Sequence, residues 1–96
     1  MIEIHKDLDD ILAERGARYG AFNGHSYIAQ QLKNVMRLNC PDEWQKLSDS
    51  QKEALEMIMH KIARILNGDP NYDDSWRDIA GYAELVVKEL NENTIT

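Results

Sequence analysis

Ninety-six residues make one domain with a modest core: a chain of this size buries somewhat over ~60% of the surface its unfolded form exposes, so self-association would help by covering a second apolar face. Seventeen acidic against eleven basic residues give a net charge of −6, which argues against general nucleic-acid binding, since no dense basic face is available to release counterions; a single nucleotide needs only a few local cations. Cys40 is the only cysteine, which excludes an internal disulfide or a zinc set, and no signal peptide or membrane span is visible, so a cytoplasmic protein with no membrane partner is expected.

The first predicted helix covers Lys6 to Arg15, where Leu8, Ile11 and Leu12 fall at helical spacing between acids, and Gly16 is its natural stop. Gly16-Ala-Arg-Tyr-Gly-Ala-Phe-Asn-Gly24 reads as a glycine-rich loop. A second helix follows from His25 to Leu38, with Ile28, Leu32, Val35 and Met36 as its apolar stripe. Cys40-Pro41 closes it, because the residue before proline disfavours the α region. Asp42 to Leu47 fits a short helical turn with Trp44 and Leu47 dipping into the core.

The third helix opens on the capping-box pattern Ser50-Gln-Lys-Glu53, and Leu55, Ile58, Met59, Ile62, Ile65 and Leu66 form one stripe along it. Gly68 stands where a C-terminal glycine belongs. After the turn-rich link Asn67 to Tyr72, a fourth helix runs from Asp73 or Asp74 to about Asn91. Trp76, Ile79, Ala80, Ala83, Val86, Val87 and Leu90 form its core face, and Glu92 to Thr96 is a fraying tail. With no β-alternation, repeat or linker, the short connections predict a compact all-α domain, residues 1–96, of four antiparallel helices.

Three groups of residues have the types that chemistry needs. On a helical wheel, Glu53, Glu56, His60 and Arg64 lie within about a quarter turn of one another, opposite the apolar stripe, with Lys61 beside them. Two carboxylates, an imidazole and a guanidinium can hold a metal ion or a phosphate; the plainer alternative is a solvated row of i,i+4 neighbours. On the fourth helix, Asp74, Asp78, Gly81, Tyr82 and Leu85 gather away from the core stripe. Gly81 costs up to ~1 kcal/mol relative to alanine, which the close approach of another helix or a ligand would explain. Equally, Ser75 to Asp78 resembles a capping box, and Tyr82 and Leu85 suit a helix–helix or dimer contact.

The third group is the loop Arg15-Gly-Ala-Arg18-Tyr19-Gly20, whose cations and flexible backbone can wrap phosphate while Tyr19 or Phe22 stacks on a base. Glycine-rich turns between helices are also common without any ligand. His25, just after the loop, reads more readily as polar filler of a first turn than as a site residue. Cys40, beside a proline and without a cationic activator, reads as an inert small residue.

Three stretches together carry a resemblance: Glu14-Arg-Gly-Ala-Arg-Tyr-Gly20, Ala54-Leu-Glu-Met-Ile-Met-His-Lys-Ile-Ala-Arg-Ile-Leu-Asn-Gly-Asp-Pro70 and Asp74-Ser-Trp-Arg-Asp-Ile-Ala-Gly-Tyr82. They resemble an uncharacterised small domain family of tailed phages and prophages, over roughly residues 8 to 90 and most specifically from Lys61 to Tyr82. More remotely the chain is similar to the phage nucleotide-modification-associated domain and to the MazG-type all-α nucleoside triphosphate pyrophosphatases. Those enzymes hold magnesium with an ExxE pair on one helix and an ExxD pair on the next, usually across a dimer.

Glu53-Ala-Leu-Glu56 matches the first pair in spacing and Asp78 the last acid, while the third position falls on Ser75 with Asp74 adjacent. The resemblance thus implies a Mg²⁺ set of Glu53, Glu56, Asp74 and Asp78, degenerate at one place, with Lys61 and Arg64 carrying phosphate charge. The expected function is a phage-type protein binding a nucleotide or related phosphorylated molecule, as a homodimer or higher homo-oligomer, with pyrophosphohydrolase activity if the metal set is intact. Its candidate ligand residues are Arg15, Arg18, Tyr19, His60, Lys61, Arg64 and Tyr82. The alternative is a non-enzymatic counter-defence protein that sequesters a cyclic nucleotide or blocks a host nuclease with its acidic surface, and beyond that a plain interaction module.

Overall fold

The computed structural model describes residues 2–95, with side chains from 7 to 92. The chain forms α1 (Ile2–Tyr19), α2 (Phe22–Asn34), a π-helical turn (Val35–Asn39), α3 (Pro41–Lys46), α4 (Asp49–Asn67) and α5 (Asp73–Ile95), and no strand occurs among the described residues. The all-α expectation holds. The short segment after Pro41 makes five helices where four were expected, and α5 continues to Ile95 past the expected start of a frayed tail.

Several boundaries differ from the sequence reading for local reasons. Helix α1 passes through Gly16 and stops at Gly20, whose φ of 78° is the left-handed conformation that ends helices. An added Cβ at Gly16 would meet nothing within 4 Å, so that glycine is a tolerated interior residue. The expected loop therefore shrinks to Gly20 and Ala21. Pro41 takes the first position of α3, where its missing N–H costs nothing. The capping box of α4 lies two residues earlier than expected. The Gln51 amide donates to Ser48 Oγ at 3.1 Å, and the Ser48 amide to Gln51 Oε1 at 2.9 Å. Ser50 Oγ instead donates to Glu89 Oε1 at 3.0 Å, tying α4 to α5.

Helix α4 is the central element and packs against both α2 and α5. Its buried alanines Ala54 and Ala63, with Ala29 of α2, leave room for close helix approach. Trp44 of α3 is the one large apolar side chain among the buried residues, and no large side chain is fully enclosed among those described. The expectation of compactness is not met. The radius of gyration is 16.6 Å, against about 12.5 Å for a compact domain of this length, and the molecule measures 55 × 30 × 29 Å. The cause is α1, whose residues 7 to 17 are all exposed.

The core face assigned to α5 is also corrected. Ser75, Ile79, Tyr82 and Val86, at 4-3-4 spacing, are its covered positions. Trp76, Val87 and Leu90 are about half exposed, and Ala80 and Ala83 are exposed as well. Only part of the stripe read from the sequence faces α4, because α5 meets the protomer along a single helix and cannot bury a broad face there.

Candidate functional site

The sharpest local feature is a crossing of the chain at the ends of α1 and α4. Asn67 Nδ2 donates to the carbonyls of Tyr19 and Ala21, both at 2.8 Å, on either side of Gly20. The Asp69 amide donates to the Arg18 carbonyl at 2.6 Å. A Cβ at Gly20 would run into the Asn67 backbone, and one at Gly68 into the backbone of Arg18 and Tyr19. Two glycines thus permit an approach that no larger residue allows, and they fix where α2 leaves α1.

Around this crossing, two cations flank a pair of rings. The Arg64 guanidinium lies over the Tyr19 ring at 4.0 Å, the Tyr19 and Tyr72 rings meet edge-on with centroids 6.1 Å apart, and Arg18 covers Tyr72 at 4.4 Å. The Tyr72 hydroxyl is hydrogen-bonded to Asp74, which pushes its pKa up.

Beside the crossing, α1, α2 and α4 enclose a pocket of about 360 Å³ with Arg15, Tyr19, Phe22, His25, His60 and Arg64 on its walls. His25 is 6% exposed, and its Nε2 lies 3.2 Å from His60 Nδ1, with the rings edge-on. Because α2 begins at Phe22, His25 is its fourth residue rather than its first, and it is a buried pocket residue rather than polar filler. His25 Nδ1 is buried without a hydrogen-bond partner. The tautomer that suits this arrangement carries the His25 proton on Nε2, donating to His60, since a bare lone pair is cheaper to bury than an orphan N–H. That leaves the proton of His60 on its own Nε2, a donor on a residue of the pocket wall.

Burial holds the pKa of His60 down, to about 4, with His25, Arg64, Lys61 and Lys33 acting in the same direction. The pKa of His25 is also lowered, by burial first and then by Arg64, Lys33 and Lys61.

Of the residues singled out in the sequence, the pocket gathers Arg15, Tyr19, His60 and Arg64. Arg18 serves the Tyr72 stack instead. Lys61 is buried and forms an ion pair with Asp78 at 3.0 Å. Tyr82 borders shallow grooves along α5, away from the pocket. Asn67, which clasps the pocket-bearing bend, was missed; a polar residue before a C-terminal glycine gives no sign of the carbonyls it reaches.

The four acids expected to hold Mg²⁺ have separate surroundings. Glu53 lines a groove with Tyr82 and Leu85, Glu56 is half-buried elsewhere on α4, Asp74 bonds Tyr72, and Asp78 pairs with Lys61. Among the described residues no three His, Cys, Asp or Glu side chains converge as one ion requires. Within a single chain these residues do not fit a magnesium site.

No helix among the described residues is long and apolar enough to cross a membrane. No curated protein and no solved structure matches the chain. It matches the domain of unknown function DUF6378 over residues 4–90, and it belongs to that family.

Proposed function

We propose that this protein is a phage-type binder of a nucleotide or related phosphorylated small molecule, held in the pocket between α1, α2 and α4. The observation that carries the reading is the sign of the charge there. In a chain of net charge −6, the pocket walls hold Arg15 and Arg64 and no acid. A phosphate would neutralise that excess, with the guanidiniums as forked donors. Phe22, 80% exposed at the rim, and Tyr19 offer ring faces for a base. The pocket volume lies at the small end of the ~300–1,000 Å³ usual for ligand sites.

The scattered acids favour binding without cleavage by the single chain. The MazG-like spacing of Glu53 and Glu56 then reflects kinship of sequence rather than shared magnesium chemistry. A binder that does not turn over its ligand would sequester it, as a counter-defence protein holding a cyclic nucleotide would.

A melting panel tests this, using nucleoside mono-, di- and triphosphates and cyclic dinucleotides, with and without Mg²⁺. A ligand present at a hundredfold its Kd adds about 2.7 kcal/mol, or roughly 10 °C and more in Tm for a domain of this size. The rise is expected to vanish in Arg15→Ala, whose side chain is exposed, and to persist in Glu56→Gln. No rise with any nucleotide would sink the reading. Pyrophosphate release that Glu56→Gln abolishes would replace it with an enzyme.

A further inference from the structure

Trp76, Ala80, Ala83 and Val87 of α5 repeat at the 4-3-4 spacing of a helix-pairing seam, and all four are exposed. Trp76 is 55% and Val87 46% exposed. The seam runs on into a nearly wholly apolar groove of about 320 Å³, lined by Leu47, Leu55, Ile58 and Ala83 among others. We propose that a second copy of this chain docks there, with α5 pairing antiparallel to its own counterpart.

The charge pattern supports a second copy: the seam is flanked by one cation, Arg77, and one anion, Glu84, which a two-fold partner brings together.

Charge and side-chain size select the antiparallel sense. With the two-fold axis between residues 81 and 82, Trp76 meets Val87 of the other copy, and Ala80 meets Ala83. The large residues lie at the ends and the alanines at the axis, where the helices approach most closely. Arg77 and Glu84 flank the seam on one side, so each Arg77 stands beside the other copy's Glu84. A parallel pair would set tryptophan against tryptophan and would not bring these two charges together. The Arg77 guanidinium, bonded to Asp73 at 2.8 Å on the protomer surface, is exposed and can take a second partner.

The inference does not depend on the ligand reading; a nucleotide melt tests one and sedimentation the other. Sedimentation equilibrium of the full chain at tens of micromolar should give twice the mass of 11.1 kDa. Val87→Glu should return the monomer with its helical circular dichroism intact, weakening association about a hundredfold or more through a charge buried in an apolar seam. Arg77→Glu or Glu84→Arg alone should raise the dimer Kd roughly fivefold, and the double reversal should restore it. If Val87→Glu fails to fold, the charge-reversal cycle decides by itself. A monomer at these concentrations, a dimer that survives Val87→Glu, or single reversals without effect would overturn the proposal.

Discussion

The two halves of α4 carry charged rows at the same helical spacing and meet different fates. In the C-terminal half, His60 and Arg64 are walled in by α1 and α2, and the His60 ring is desolvated enough to lose its basicity. In the N-terminal half, Glu53 lines a shallow groove against α5, and among the described residues no three acids converge there. The lesson is that spacing along a helix groups side chains, while a site forms only where a second chain segment closes over the group. Here the closing segment is the bend at Gly20, held by Asn67.

That comparison can be broken most severely at the bend. Gly20→Ala should cost ~3 kcal/mol or more, because it places a side chain at φ 78° and against the Asn67 backbone. Gly16→Ala, four residues earlier with open space around it, should instead add ~0.5–1 kcal/mol. Urea midpoints of the two variants on either side of wild type would confirm which glycine shapes the pocket; equal effects would show that the crossing does not hold it.

Asn67→Ala should come next, at about 1–3 kcal/mol, since two carbonyls lose their donor together. It should also weaken nucleotide binding with no change in pocket chemistry.

A third expected effect is a pH dependence confined to the closed half of α4. Because the folded pKa of His60 lies below its unfolded value of 6.5, the unfolded chain binds more protons in the interval between them. Stability should therefore be fully present above pH 6.5 and decline as the pH falls toward about 4, with His25 contributing in the same direction. His60→Gln should flatten that slope when Tm is followed against pH. A slope that survives would assign the titration elsewhere.

The smallest effect should come from the open half: Glu56→Gln is expected to change stability by less than ~0.5 kcal/mol, since the half-buried carboxylate has no ion pair to lose among the described residues and the amide keeps its shape. A larger loss would mean that Glu56 has a partner the protomer does not supply.

Much of the site was legible one residue at a time. Arg15, Tyr19, His60 and Arg64 carry cations, a ring and an imidazole within two local patterns, and these four the fold gathers. Lys61 and Asp78 were also noticed, but as ligands of a common site rather than as partners of each other. His25 reads as filler from sequence because its place depends on where α2 begins, and a loop carried three residues past the true start of α2 makes it the first residue of that helix.

The amino-acid order alone determined the helices, their approximate ends and the excess of acid, since these depend on hydrogen bonds and caps within a few residues and on simple composition. It also wrote a second apolar stripe into α5. Only the tertiary structure decided that this stripe stays exposed, that Gly20 rather than Gly16 ends α1, and that His25 meets His60. Each of those outcomes depends on segments distant in sequence coming together, and the direction a helix presents to its neighbours is set by packing rather than by the helix itself.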